Sequence, residues 1–145
     1  MEEGQVTEDR SHQCSILVVE DEPELREVLQ IALEADGYDV ATAVNGRDAL
    51  KHLRTTADTC LIVLDLYVPV MNGREFRAAQ LRDRSLAWIP VIVISGGLEG
   101  ARDARELGAR AFMRKPVDVD ALREAVRQVE CRRAQLGREQ RQTHC

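Results

Sequence analysis

The chain has 145 residues, of which 44% are hydrophobic and 31% charged, and its formal net charge at pH 7 is -5. This length suits one domain with a substantial core, and the composition excludes wholesale disorder. The negative charge argues against direct binding of nucleic acid, which depends on cationic patches. No apolar run approaches the about 20 residues of a membrane span, and the amino terminus lacks the basic and apolar regions of a secretory signal. We therefore expect a cytoplasmic protein without a membrane span.

The two ends of the chain differ in composition from its middle. Residues 1–13 are polar and acidic without periodicity, so we expect a disordered lead there, whereas the basic residues 132–145 lack an apolar stripe and predict a flexible tail. The folded domain should span residues 14–131. The four cysteines form no Cys-x-x-Cys pair, and we expect neither a disulfide framework nor a structural zinc site.

Short apolar runs alternate along the chain with segments of helical periodicity. Such runs, bounded by turn signals, predict strands that are buried on both faces, as in parallel sheets. Five strands are predicted, near residues 15–19, 39–44, 60–65, 91–95 and 111–114. Five strand–helix units of this length predict a doubly wound α/β sheet.

The predicted helices follow each strand in turn. Asp21 can cap the first helix, with Pro23 in its first turn and Gly37 as its stop. Asn45 and Gly46 begin a short second helix, and the third runs toward residue 84. The segment 98–107 is only weakly helical because glycine dilutes it. The last helix carries an apolar stripe formed by Val119, Leu122, Val126 and Val129.

Polar side chains stand where four of the predicted strands end. Asp65 closes an apolar run. A charge at the end of a buried strand is energetically costly, which favours a functional role for this residue. The other three strand ends carry Glu20–Asp21, Ser95 and Lys115–Pro116. Ligands of open parallel sheets bind outside the carboxyl ends of the strands. These groups should therefore share one rim.

Each of these features also has an ordinary structural interpretation. Taken alone, Glu20–Asp21 is better read as a helix cap, and Ser95 could equally be a turn serine. Lys115 could be a surface residue, although it is one of only two lysines against 18 arginines, which favours a required compact point charge. The combination in this order favours a functional site.

Residue types indicate the chemistry of that site. Three neighbouring carboxylates repel one another unless a cation neutralises them, and an all-oxygen ligand set favours Mg²⁺, with Mn²⁺ as a substitute. A carboxylate can attack phosphorus to give an aspartyl phosphate. The metal, the Lys115 ammonium and the Ser95 hydroxyl would each meet one phosphoryl oxygen, because catalysis of this transfer is mostly positioning and electrostatics.

Over residues 14–131 this constellation resembles the receiver domain of two-component response regulators. The resemblance implies a flavodoxin-like fold with strand order 2-1-3-4-5 and Asp65 as the phosphoacceptor. It further implies metal ligation by Glu20, Asp21, Asp65 and the backbone carbonyl of Tyr67. It implies that the phosphoryl group is contacted by Ser95, by Lys115 and by the backbone N–H of Gly96. Ser95 and Phe112 would form a switch pair, and the peptide bond before Pro116 would be cis.

The resemblance also implies the function and the partners. The protein would be a switch rather than an enzyme, phosphorylated by a sensor histidine kinase or a histidine phosphotransfer protein. The signal would leave through the surface of helix 4, strand 5 and helix 5, toward a downstream protein or a second copy of the chain. The sequence is compatible with a stand-alone receiver and with a piece of a longer regulator.

Two other classes of protein stay open at this stage. A receiver-like interaction module that is not phosphorylated would be expected to lack Asp65, Lys115 or the acidic pair, and all are present. A haloacid dehalogenase-like phosphatase would have a second Asp two residues after its nucleophile, and this chain has Tyr67 there.

Overall fold

The computed structural model describes the backbone of residues 15–141 and the side chains of residues 15–132, so the lead expected at 1–13 lies outside the described residues. The strands are β1 (Ser15–Val19), β2 (Asp39–Ala43), β3 (Thr59–Asp65), β4 (Val91–Ser95) and β5 (Ala111–Arg114). The helices are α1 (Pro23–Ala35), α2 (Gly46–Thr55), α3 (Gly73–Arg82), α4 (Gly100–Glu106) and α5 (Val119–Arg141).

The five strands form one parallel sheet in the order β2-β1-β3-β4-β5, which confirms the predicted strand order. The order reverses between β1 and β3, so the crevice expected of such a sheet lies beyond the ends of these two strands. Asp65 is paired with Ile94 of β4, and Ser95 is paired with Arg114 of β5. The polar strand ends therefore lie on neighbouring strands at one edge of the sheet.

The sheet is buried on both faces, as its apolar strands predict. Side chains of α1 and α5, such as Leu29 and Val126, pack on one face. Side chains of α2, α3 and α4, such as Leu50, Phe76 and Ala104, pack on the other. The resulting three-layer sandwich holds the strand ends rigidly and leaves their polar side chains at the rim.

The start of α1 differs from the prediction. Glu22, not Asp21, is the N-cap residue, and it makes no side-chain capping bond, while Pro23 occupies the first turn as predicted. The Glu22 amide instead donates to the Glu20 carboxylate at 3.0 Å. The Glu20 side chain that accepts this bond is buried, whereas Asp21 is exposed at the rim.

Three further features depart from what the sequence predicted. The helix α5 runs to Arg141, so residues 132–141 of the expected tail are helical, and residues 142–145 lie outside the described part. The helix α4 covers only Gly100–Glu106 of the segment 98–107. Cys60 is disulfide-bonded, which corrects the expectation drawn from cysteine spacing.

Across the described residues, no helix combines the length and apolar character needed to cross a membrane.

Gly73, the first residue of α3, holds the loop after β3 close to the site. Its amide donates to the Leu66 carbonyl oxygen at 3.0 Å. A Cβ added at Gly73 would lie 2.7 Å from the Leu66 Cα and 2.9 Å from the Asp65 carbonyl oxygen. These neighbours are backbone atoms that cannot move aside without displacing the end of β3.

We expect Gly73→Ala to lower the free energy of unfolding by about 1–3 kcal/mol, the usual cost of an overpacked position. Gly96→Ala is the matched control, because its added Cβ would meet its nearest neighbour, the Lys115 Cβ, at 3.7 Å. Urea denaturation followed by circular dichroism measures both. Equal midpoints for the two variants would show that the close approach at Gly73 is tolerated.

Candidate functional site

Asp65 lies at the centre of the rim and is almost completely buried, with 2% of its surface exposed. Its Oδ1 atom accepts a hydrogen bond from the Tyr67 amide at 3.0 Å, and its Oδ2 atom accepts one from the Lys115 ammonium at 2.9 Å. The carboxylate is thus fixed in orientation by one backbone donor and one cation. A fixed, charged carboxylate at a strand end is suited to act as a nucleophile.

Glu20 and Asp21 join Asp65 in an acidic cluster. One carboxylate oxygen from each of the three residues lies within 4.8 Å of the other two. Glu20 and Asp65 are buried, and Asp21 is exposed. The Glu20 Oε1 atom is buried and accepts no hydrogen bond, although the Lys115 Nζ atom lies 3.3 Å away.

This donor set fits a hard divalent cation. Its ligands are oxygens only, one of them lacks a hydrogen-bond donor, and its exposed side leaves room for the waters that Mg²⁺ retains. Of the three residues, Asp21 is the most accessible ligand, whereas Glu20 is engaged by Glu22 and Lys115. Glu20, Asp21 and Asp65 are therefore the residues that could hold the metal.

Lys115 reaches the acidic cluster from the end of β5. Its ammonium lies 2.9 Å from Asp65, 3.3 Å from Glu20 and 4.0 Å from Glu22. The Lys115–Pro116 peptide bond is cis, the geometry that the resemblance implied. The Lys115 amide also donates to the Ser95 carbonyl oxygen at 3.0 Å, which ties the two strand ends together.

The pKa values of Glu20, which is buried, and of Lys115, which is partly buried, both shift in this site. Burial, aided by the negative charge of Asp65, raises the pKa of Glu20 to about 7, against the opposing effects of the Glu22 amide and of Lys115. Burial alone would lower the pKa of Lys115, but the hydrogen bond and charge of Asp65, followed by those of Glu20, outweigh it and raise that pKa. The Lys115 ammonium is therefore retained, and Glu20 releases its proton at a higher pH than an ordinary glutamate.

Ser95 is completely buried, and its hydroxyl oxygen accepts a bond from the Gly97 amide at 3.0 Å. The ring of Phe112 is close by. A Cβ added at Gly100 would lie 2.7 Å from the Phe112 Cζ and 3.2 Å from the Ser95 Cβ. The structure thus brings Ser95 and Phe112 together around the start of α4, as a switch pair requires. Their switching role stays a prediction, as do the roles of the Tyr67 carbonyl and the Gly96 amide.

Two side-chain contacts of the site escaped the sequence analysis. Arg26 of α1 donates from Nη1 to the carbonyl oxygens of Glu20 at 3.0 Å and Asp21 at 3.3 Å, and so fixes the backbone of the acidic pair. Tyr67 lays its ring against Gly97, where an added Cβ would lie 2.7 Å from the Tyr67 hydroxyl oxygen. Neither contact has a sequence signal, because helix arginines and loop tyrosines are usually solvated.

The fold and the site together define a doubly wound α/β domain with an acidic centre at its topological switch point. The family model described as "Response regulator receiver domain" matches residues 16–127. The chain therefore belongs to the response regulator receiver domain family. Receiver domains are generally signalling switches that bind Mg²⁺ in an acidic pocket and partner with histidine kinases or phosphotransfer proteins.

Individual relatives agree with this assignment. The chain is 41% identical over 103 residues to the alkaline phosphatase synthesis transcriptional regulatory protein PhoP of Bacillus subtilis, covering 70% of this chain and 42% of PhoP. It is 32% identical over 113 residues to the sporulation initiation phosphotransferase F of the same organism, covering 77% and 90%. The crystal structure of a response regulator receiver protein from Pseudomonas putida superposes with a TM-score of 0.74 at 30% identity, covering 80% and 97%.

The raised pKa of Glu20 predicts a pH dependence for the metal-free protein. Between its ordinary value of 4.5 and about 7, the folded protein holds a proton that the unfolded chain has released. The free energy of unfolding should therefore fall as the pH rises through this window, by on the order of 3 kcal/mol, and level off above it.

This dependence is measured by urea denaturation in EDTA at pH 4.5 and pH 7.5. Glu20→Gln should lose this contribution to the pH dependence, whereas Glu24→Gln, at an exposed position of α1, should keep it. An identical pH dependence in the wild type and Glu20→Gln would mean that Glu20 ionises normally.

Proposed function

We propose that this protein is a phosphorylation-dependent signalling switch that accepts a phosphoryl group on Asp65 with the aid of Mg²⁺. The observation that carries the proposal is the geometry of Asp65, a carboxylate 2% exposed that is held by Lys115 at 2.9 Å within a cluster of three carboxylates. Two buried carboxylates within such a cluster are costly unless cations neutralise them, which favours a bound metal ion beside Lys115.

The chain's own residues suit the transfer step. An Asp65 oxygen would attack phosphorus while the bond from phosphorus to the donor's imidazole nitrogen breaks, and the donor histidine would keep that electron pair. The Tyr67 amide and the Lys115 ammonium orient the carboxylate before the attack. Glu20, Asp21 and Asp65 would hold Mg²⁺, which offsets the charge of the phosphoryl oxygens, and Mn²⁺ would substitute. Ser95 and the Gly96 amide would bind the remaining oxygens, and the Tyr67 carbonyl would complete the metal's ligands.

The donor would be a sensor histidine kinase or a histidine phosphotransfer protein. Beside the site, a cavity of about 560 Å³ is lined by residues of α1 and of the β5–α5 connection, among them Leu25, Val28 and Pro116, together with Glu22 and Glu24. Val28 is 46% exposed. An apolar floor with an acidic rim suits a partner that presents apolar and basic side chains. A cytoplasmic location would follow from such a donor.

The phosphorylated protein would act through protein contacts rather than by turning over a substrate. Its output surface would comprise α4, β5 and α5 and would bind a downstream protein or a second copy of the chain. The alternative of a module that is never phosphorylated has no supporting observation, since Asp65, Lys115 and the acidic pair are together at one rim.

Acetyl phosphate with Mg²⁺ should add a single phosphate to the protein, and the adduct should be labile at high pH, as an acyl phosphate is. Intact-mass spectrometry measures it. Asp65→Asn should abolish the adduct because the amide is not a nucleophile, whereas Asp58→Asn, a surface substitution before β3, should leave it unchanged. An adduct that persists in Asp65→Asn would refute the assignment.

Magnesium affinity tests the metal ligands separately. Asp21→Ala should weaken Mg²⁺ binding by at least about tenfold, since an accessible charged ligand is lost. Glu20→Ala should weaken it less, because Glu20 is already engaged by Lys115 and by the Glu22 amide. Glu24→Ala is the control, and isothermal titration calorimetry gives the affinities. Equal affinity in the wild type and Asp21→Ala would exclude this set of ligands.

A further inference from the structure

The helix α4 is too short to hold its position by itself. It has seven residues, begins with Gly100, and its N-cap residue Glu99 makes no side-chain capping bond. Isolated helices of this length are unstable in water, and each glycine costs up to about 1 kcal/mol. The order of α4 must therefore come from tertiary contacts.

Arg77 of α3 supplies one of these contacts. It is 7% exposed, and its guanidinium donates from Nε to the Leu107 carbonyl oxygen at 2.9 Å and from Nη2 to that of Gly108 at 3.5 Å. Both carbonyls follow the last turn of α4. Burial, with the charge of Arg110, lowers the pKa of Arg77. Among the described residues, Arg77 donates hydrogen bonds only to these two carbonyls and to the side-chain amide oxygen of Gln80. The partial negative charge at the C-terminal end of α4 therefore serves as its counter-charge.

Gln80, one turn further along α3, anchors Arg77. Its Oε1 atom accepts from the Arg77 Nη1 atom at 2.7 Å, and its Nε2 atom donates to the carbonyl oxygens of Leu86 and Ile89 at 2.9 and 3.0 Å. Gln80 is completely buried. The guanidinium therefore links the end of α4 to the connection between α3 and β4, and a movement of α4 away from that connection would strain or break these bonds.

Arg74 makes a second link from the same side of α3. Its Nη2 atom donates to the Asp103 carboxylate, and to Glu106 at 3.3 Å. Asp103 is buried beneath the helix, whereas Arg74 is about half exposed. Residues three apart lie on one face of a helix, so Arg74 and Arg77 both reach α4, one at its side and one at its end.

The opposite end of α4 contacts the site. An added Cβ on Gly100 would lie 3.2 Å from the Ser95 Cβ and 2.7 Å from the Phe112 ring. Any movement of Ser95 or Phe112 therefore acts on the first turn of α4, while Arg77 holds the last. The strength of the Arg77 hydrogen bonds therefore determines how far α4 moves in response to Ser95 or Phe112.

We propose that Arg77, assisted by Arg74, is a latch that holds α4 in the arrangement of the unphosphorylated protein. Opening of α4 breaks the bonds from Arg77 to Leu107 and Gly108. The latch thereby opposes the response to a phosphoryl group at Asp65. The holding of α4 by Arg77 is inferred from the contacts alone. Only the opposition to the phosphoryl response rests on the proposed function.

Hydrogen exchange on the unmodified protein tests the latch itself. In Arg77→Met the amides of residues 107–109, which close the end of α4, should exchange about tenfold faster, as expected when a charged hydrogen bond is lost. The α1 amides of Leu29 and Leu33 should change less than about twofold, since local and global opening are separate events. Arg74→Met, at an exposed position, should speed exchange of the same three amides to a smaller extent.

Arg82→Met is the matched control, because Arg82 is an exposed arginine on the same helix. It should leave exchange of the amides of residues 107–109 unchanged. Equal acceleration of these amides and of the α1 amides would show that Arg77 only packs the core. Unchanged exchange of residues 107–109 in both Arg77→Met and Arg74→Met would overturn the latch.

Beryllofluoride, a phosphoryl mimic, tests the second part. If the latch opposes the response, Arg77→Met should bind the mimic with Mg²⁺ several-fold more tightly than the wild type, since a ligand shifts an equilibrium toward the state it prefers. Equal or weaker binding would refute this part. Absence of binding to the wild type as well would instead contradict the proposed function, and the exchange result would still decide the latch.

Discussion

The site depends on one electrostatic constraint, the balance of three carboxylates at the ends of two strands against the single ammonium of Lys115. Asp65 and Glu20 are both buried, and both lie within 3.3 Å of that ammonium. Lys115 only partly offsets the cost of this arrangement, and burial, with the negative charge of Asp65 as a lesser cause, raises the pKa of Glu20 to about 7. A divalent metal and then a phosphoryl group change the balance in opposite directions, and a receiver domain can convert such changes into altered contacts.

The three-layer fold makes this balance possible. Parallel strands that are buried on both faces bring Glu20, Asp65, Ser95 and Lys115 from distant parts of the chain to one edge, and the packed helices keep them there. The backbone of the acidic pair is fixed by Arg26, and the end of β3 is fixed by the close approach of Gly73. The site is therefore preorganised on its β1 and β3 side. Its other side is bounded by α4, the short helix that follows the Ser95 strand and lacks a side-chain cap.

The sequence was sufficient for the strands and for the residues at their ends, because apolar runs and the charges that close them are local signals, whereas the strand order came from the resemblance to receiver domains and was confirmed by the structure. It was insufficient wherever a side chain acts over a long distance. Arg77 and Arg26 are helix arginines of a type that is normally solvated, and only the packed fold brings them to Leu107 and to Glu20. The cap of α1 was misassigned because the Glu20 side chain takes the Glu22 amide, a bond that sequence spacing does not reveal. The disulfide at Cys60 likewise has no spacing signal.

The contact between Tyr67 and Gly97 has a consequence for how this domain can vary. The ring occupies the space that any side chain at position 97 would need, with the Tyr67 hydroxyl oxygen 2.7 Å from an added Cβ. A larger residue at position 97 is compatible with the fold only if the ring leaves or becomes smaller, so the effects of substitutions at the two positions are not additive. The loops after β3 and β4 are therefore coupled through this one contact, and the side chain at position 67 decides which side chains position 97 accepts without a shift of the ring.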